Sequence, residues 1–205
     1  MASGALTAIV LAAGDGTRMM SNRPKPLHVL CGKAMVLYEL DALSAIGVTR
    51  TVVVVGAGAE RVTKKLQEDG PDMLLEFVEQ RFPRGTGDAA GVGVAAFGYD
   101  DFDDATVLVV PGDMPLLQST HLAALVTEHE SSGAAVTVLT AELADPSGYA
   151  RVVRGKGDKV VQVVEEVETD EAGRAITEVA AGVYCFRRSL LAPALRRVSP
   201  RNSRG

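Results

Sequence analysis

Leu6 to Met19 reads Leu-Thr-Ala-Ile-Val-Leu-Ala-Ala-Gly-Asp-Gly-Thr-Arg-Met, an apolar run that ends in two glycines spaced two apart. Apolar residues at consecutive positions predict a strand covered on both faces, Leu6 to Ala13. Gly14 and Gly16 then allow a sharp turn with positive φ and bring bare N–H groups close to a ligand, where they can hold phosphate oxygens. Arg18 lies in the same loop and Lys25 follows in Pro-Lys-Pro-Leu. From Gly16 to Tyr38 there are four basic residues, Arg18, Arg23, Lys25 and Lys33, and no acidic one, although the chain carries a net charge of -5. A cationic loop on an acidic protein suits a small anionic ligand. The spacing is neither the dinucleotide fingerprint, since Arg18 and Met19 follow Gly16, nor the Walker A pattern.

Further along, the runs Thr51 to Val55, Leu74 to Val78, Thr106 to Val110 and Ala135 to Thr140 have the same continuous apolar character. Helix-length pieces lie between them: Ala34 to Ile46, with Val36, Leu40, Leu43 and Ile46 near helical spacing and Gly47 as a stop, then Ala59 to Glu68, Asp88 to Ala96 and Thr120 to Ser131. Strand and helix in alternation predict an α/β domain with a largely parallel sheet sandwiched by helices. After Pro146 the rhythm changes. Tyr149 to Val153, Val160 to Glu165 and Val183 to Phe186 are strands separated by polar turns, a smaller mixed or antiparallel region.

The chain has 205 residues, 47% of them hydrophobic, enough for one compact domain with a sizeable core and too few for two. An acidic balance argues against a nucleic-acid partner, which needs a broad basic face to neutralise many phosphates. Cys31 and Cys185 lack metal-ligand spacing and sit in apolar stretches, so both are expected to be buried thiols in a reducing compartment. The apolar start lacks a charged leader, and no run approaches the roughly 18 residues of a membrane span, so the expectation is a cytoplasmic protein without a membrane partner.

Ligands of open α/β sheets bind at the carboxyl ends of strands, where two more loops draw notice. In Val-Pro-Gly-Asp-Met-Pro-Leu-Leu, Val110 to Leu117, Asp113 sits just past a strand end. A hard carboxylate there can hold Mg²⁺, which binds through one or two carboxylates together with substrate phosphates. An Asp in a tight turn is the plainer reading of the same residue. In Arg-Gly-Thr-Gly-Asp-Ala, Arg84 to Ala89, Gly85, Thr86 and Gly87 offer close backbone approach to a base or ribose. Asp88 near the first turn of a helix accounts for that segment equally well.

Taken together, L-A-A-G-D-G-T-R-M, P-K-P-L-H, G-K-A-M-V, Gln80 with R-G-T-G, P-G-D-M-P-L and D-P-S-G-Y-A-R resemble the uridylyltransferase domain of bifunctional N-acetylglucosamine-1-phosphate uridylyltransferases, from about Leu6 to Gly205. The resemblance implies a Rossmann-like nucleotide-diphospho-sugar transferase fold over residues 5–205, with Mg²⁺ as cofactor and UTP and a sugar 1-phosphate as substrates. It implies that the sugar phosphate attacks the α-phosphorus of UTP in line, giving UDP-N-acetylglucosamine, a cell-wall precursor, and pyrophosphate. Arg18 and Lys25 are then the catalytic cations, Arg18 on the β and γ phosphates and Lys25 on the α. Asp113, beside Gly112, is the metal ligand. The backbone of Leu11, Ala12, Ala13 and Gly14 cradles uridine with Gln80, Gly85 and Thr86, and Glu165 contacts sugar hydroxyls.

Three features depart from the family pattern. Ala150 stands where the family has glycine, and Ala180 where it has an asparagine that hydrogen-bonds the sugar. Six arginines and no acid occupy Arg187 to Arg204, and the chain stops before the family's second metal ligand, so a domain cut short at its C-terminus is expected. The family's acetyltransferase β-helix has no counterpart here, hence an expected monomer. Transfer to a different sugar phosphate or other small phosphorylated acceptor, and nucleotide binding with little catalysis, are the alternative readings.

Overall fold

The computed structural model describes residues 6–14, 16, 19–82, 84–98 and 105–198. Strand β1 (Thr7–Ala12) is an interior strand of an eight-stranded sheet. Residues alternate across it: Ala8, Val10 and Ala12 pack into one apolar cluster, Ile9 into another on the opposite face. Strands β2 (Val29–Leu30) and β3 (Lys33–Ala34) form a short ribbon of their own, tightened at Cys31 and Gly32, both at positive φ. The ribbon leads into α1 (Met35–Ala45), followed by β4 (Arg50–Val55), α2 (Ala59–Asp69), β5 (Leu74–Glu79), α3 (Thr86–Ala95) and β6 (Thr106–Pro111). Next come α4 (Ser119–Ser132), β7 (Val136–Glu142), β8 (Arg151–Arg154), β9 (Val160–Val164), α5 (Glu171–Arg174), β10 (Glu178–Arg187) and α6 (Arg188–Leu195).

The spatial order is β5-β4-β1-β6-β10-β8-β9, with β7 also paired to β10. The first four strands are mutually parallel, whereas β10 runs antiparallel to β6, β7 and β8. Helices α1, α2 and α4 cover one face, and α3 and α6 the other, so the central strands are dry on both sides and read as unbroken apolar runs.

Several expectations need correction. Ala135 to Thr140 was expected to extend the parallel set. β7 does run in the direction of β6, but β10 lies between them and β7 bonds only to it. The expected strand Val183 to Phe186 is the second half of the longer β10. Helix α3 begins at Thr86, two residues before the expected start at Asp88, because Gly85 at φ 94° already turns the chain. Cys31 is exposed in the ribbon turn rather than buried, while Cys185 is buried in the sheet.

The register of β10 shapes the outer half of the sheet. It pairs with β6 over Tyr184–Arg187 and with β8 at Val179, while β7 flanks it opposite both. Strands β6 and β8 therefore lie end to end along one side of β10. The register with β7 shifts between Ala180 and Tyr184, and the stretch between them, 181–183, lies beside the gap between β8 and β6.

Candidate functional site

At the switch point of the sheet, β1 leads off to β4 and β5 on one side and has β6 on the other, which leaves a crevice outside the carboxyl ends of β1 and β6. The turns leaving these strands touch: Gly112 N–H donates to the Leu11 carbonyl at 2.9 Å. The glycine loop stands above them. Gly16 has φ +60°, and a Cβ added there would lie 2.8 Å from the Lys25 Cβ, so only glycine lets the loop close on the turn that carries Lys25. That turn is a single 3-10 turn, Lys25–Leu27, set up by Pro24 and Pro26.

Lys25 Nζ reaches across the crevice and donates to Asp113 Oδ2. The pair is half-buried, at 27% and 31% side-chain exposure, and so remains open to a ligand from the mouth of the crevice. Phosphate oxygens entering here would find Lys25, and a cation would find Asp113. Among the described residues no three His, Cys, Asp or Glu side chains gather to hold a metal. One hard carboxylate beside a glycine loop nevertheless fits Mg²⁺, which takes much of its shell from substrate oxygens and water rather than from a protein cage. Arg18 lies outside the described residues.

The other cations of the stretch divide. Lys33 pairs with Asp41 on α1 and lies 5.4 Å from the Tyr38 ring, so it belongs to the ribbon and not to the glycine loop. Arg23 lines a recess of about 260 Å³ beside Gly14, together with Gly58 and Arg61. Arg61, whose Nη1 donates to the Asn22 carbonyl at 3.1 Å, is a cation that the sequence placed only within a helix.

On the β4–β5 side, Gln80 is buried and directs its amide N–H groups inward, to Asp88 Oδ2 at 2.7 Å and the Gly85 carbonyl at 3.3 Å. Gln80 thereby holds the segment with Gly85 and Thr86 closed against the start of α3. On the far side, Ala180 N–H donates to the Ala150 carbonyl at 3.0 Å, next to the Val179–Arg151 pair of β10 and β8, so these two residues stand at the β8 side of the gap along β10. Glu165 is exposed at the end of β9. Its neighbour Glu166 reaches the loop before β8: Oε2 accepts the Gly148 N–H at 2.8 Å and Oε1 pairs with Arg151 at 3.3 Å. Arg151 is 2% exposed and also donates to the Tyr149 carbonyl.

One carboxylate at the site escaped the sequence reading. Glu39, on the inner face of α1, is fully buried, and its Oε1 accepts the backbone N–H of Met114, the residue after Asp113. Burial, with a smaller push from the Asp113 charge, raises its carboxyl to about 7 against the pull of backbone hydrogen bonds. The signal was available, since Glu39 falls at helical spacing among Val36, Leu40 and Leu43.

A sheet with this switch point, carrying a glycine loop, a lysine turn and a carboxylate turn on one edge, defines a nucleotide-handling α/β domain. The chain belongs to the MobA-like NTP transferase domain family, whose pattern matches residues 8–202. It is 45% identical over 198 residues to the bifunctional protein GlmU of Streptomyces coelicolor and 39% identical over 198 residues to that of Thermobifida fusca. Each alignment covers 96% of this chain and 40% of the relative, so the chain spans about 40% of the length of these curated relatives. A Bacillus anthracis structure assigned as a glucose-1-phosphate thymidylyltransferase, in complex with a sucrose, superposes with a TM-score of 0.74 at 17% identity, covering 95% of this chain and 76% of that one. That likeness concerns the fold alone. No helix among the described residues is long and apolar enough to cross a membrane.

Proposed function

We propose that the chain transfers the uridylyl group of UTP to N-acetylglucosamine 1-phosphate, giving UDP-N-acetylglucosamine and pyrophosphate. The observation that carries this reading is the meeting of Lys25 and Asp113 between the glycine loop and the β6 turn, at the switch point of the sheet. Relatedness to GlmU proteins supports the choice of uridine and of the amino-sugar phosphate.

In this reading the backbone from Leu11 to Gly14 holds the uridine with Gln80, Gly85 and Thr86, and Arg18 takes the β and γ phosphates. The acceptor lies in the gap at Gly112, Ala150 and Ala180, with Glu165 at its rim. An acceptor phosphate oxygen attacks the α-phosphorus, a P–O bond forms, the bond from the α-phosphorus to the bridging oxygen breaks, and pyrophosphate leaves with the electron pair. Little covalent work falls to the protein, so catalysis is positioning and charge stabilisation. Lys25 releases Asp113 and faces the α-phosphoryl oxygens, where negative charge builds up. Asp113, freed from Lys25, would hold Mg²⁺, which supplies electrostatic stabilisation of the phosphate charge. Arg23 and Arg61 add positive potential beside Gly14.

The test is pyrophosphate release with Mg²⁺ and UTP, comparing N-acetylglucosamine 1-phosphate, glucose 1-phosphate and no acceptor. Release only with the acetylated sugar is expected. Release with glucose 1-phosphate alone would move the substrate to another hexose phosphate, and UTP binding without release from any acceptor would overturn the catalytic reading.

A further inference from the structure

We infer that Glu39 is a positioning residue for Asp113, and that it sets how tightly the site holds its divalent cation. Asp113 sits in a three-residue turn, and backbone contacts anchor that turn on both sides. Before Asp113, Gly112 N–H donates to the Leu11 carbonyl of β1 at 2.9 Å. After it, Met114 N–H donates to Glu39 Oε1, a side chain from the middle of α1. With both ends tied, the carboxylate between them is held opposite Lys25.

α1 is suited to the task because it also packs against the turn Lys25–Leu27, so one helix backs both partners of the pair. An acidic side chain at this place needs an explanation. The rest of the inner face of α1, Val36, Leu37, Leu40 and Leu43, is buried and apolar, and Oε2 of Glu39 has no partner among the described residues. A leucine would fill the space without the cost of burying a carboxyl group. What leucine cannot do is accept the Met114 N–H. Partners that orient a metal ligand are worth about 10- to 100-fold in metal affinity, and a fixed turn spares the ordering of Asp113 when the cation arrives.

The role assigned to Asp113 rests on the uridylyl-transfer reading, so the test includes arms that need no turnover. Glu39→Gln keeps the reach and the acceptor oxygen but loses the charge. Glu39→Asp keeps the charge but loses the reach, and Glu39→Leu loses both. The readouts are amide hydrogen exchange of Met114, Mn²⁺ binding in the presence of UTP followed by electron paramagnetic resonance, the Mg²⁺ concentration for half-maximal pyrophosphate release, and the melting temperature. Glu39→Leu is expected to melt at or above the wild-type temperature, yet to exchange Met114 faster and bind Mn²⁺ at least tenfold more weakly. Its Mg²⁺ requirement should rise in step while turnover at saturating Mg²⁺ changes little. Glu39→Asp should follow it, and Glu39→Gln should restore wild-type exchange and cation binding. Unchanged exchange and Mn²⁺ binding in Glu39→Leu and Glu39→Asp would overturn the inference. So would a Glu39→Gln protein as impaired as Glu39→Leu, since charge and not the anchor would then matter. Should Glu39→Leu not fold, the contrast between Gln and Asp decides alone. Absence of pyrophosphate release from the wild type would remove the transfer reading and leave the exchange and Mn²⁺ arms standing.

Discussion

Lys25 and Asp113 neutralise each other in the structure, so each is held ready for the other's replacement. In the proposed transfer, binding would exchange this one ion pair for two charged contacts, Lys25 to phosphate and Asp113 to the cation, at little desolvation cost because both side chains are already half-buried. Lys25→Ala should lower turnover by roughly 10² or more, the scale for losing one group that stabilises transition-state charge, read as the rate of pyrophosphate release at saturating substrates. Gly16 is equally specific in its demand. Gly16→Ala forces a side chain into the left-handed region at about 1–2 kcal/mol and drives its Cβ towards Lys25. The expected result is a loss of turnover with a melting temperature within a few degrees of the wild type, since this loop stands outside the two apolar clusters. Both residues were legible in the sequence, because a glycine needed for a turn and a lysine between prolines each leave a local mark. Glu39 left its mark in the helical spacing, but its partner Met114 lies 75 positions away, and no local pattern announces so distant a contact.

At the scale of elements, α1 carries a buried acid whose protonation is tied to folding. The Glu39 carboxyl rises from 4.5 to about 7 on folding, so between these values the folded chain binds more protons than the unfolded one. Stability must then fall as pH rises through this window, by up to about 3 kcal/mol, and level off above it. Urea titrations between pH 5 and 8 should show this fall in the wild type and lose it in Glu39→Gln. The comparison cancels the contribution of buried His129, whose depressed value costs stability only on the acid side. A second element-scale expectation concerns the loop before β8. Glu166→Ala frees Gly148 and leaves Arg151, 2% exposed, without its carboxylate partner. The KM for the acceptor should rise severalfold, with that for UTP unchanged, in initial-rate kinetics. Central strands were legible because both their faces are covered, and that leaves a continuous apolar run. The ribbon of β2 and β3 was not, since two-residue strands carry no period. The place of β7 was not either: strand order is decided by β10, which begins at Glu178, well beyond the end of β7 at Glu142.

For the whole molecule, the crevice joins two halves of one sheet, the parallel set from β5 to β6 and the antiparallel set built on β10. A ligand that bridges them binds only the folded chain, so UTP with Mg²⁺ at a hundred times its dissociation constant should add about 2.7 kcal/mol of stability. In a domain of this size that is a rise of roughly 5–10 °C in melting temperature, which scanning calorimetry would detect and which removal of Mg²⁺ with a chelator should largely reverse. Hydrogen exchange should be slowest in β1, β4 and β6, whose residues form the heart of both clusters, and fastest in β9 at the sheet's edge.

The position of β10 governs how the molecule is made. A ribosome releases β6, α4 and β7 before β10 exists, so the nascent chain carries an open slot one strand wide, with bare backbone groups of β6 on one side and β7 on the other. Until residues 178–187 emerge and slide in, that slot can be filled by a strand from a neighbouring nascent chain. Variants that slow or weaken the docking of β10 should therefore reveal themselves in the cell as insoluble product, long before purified protein shows any loss of stability.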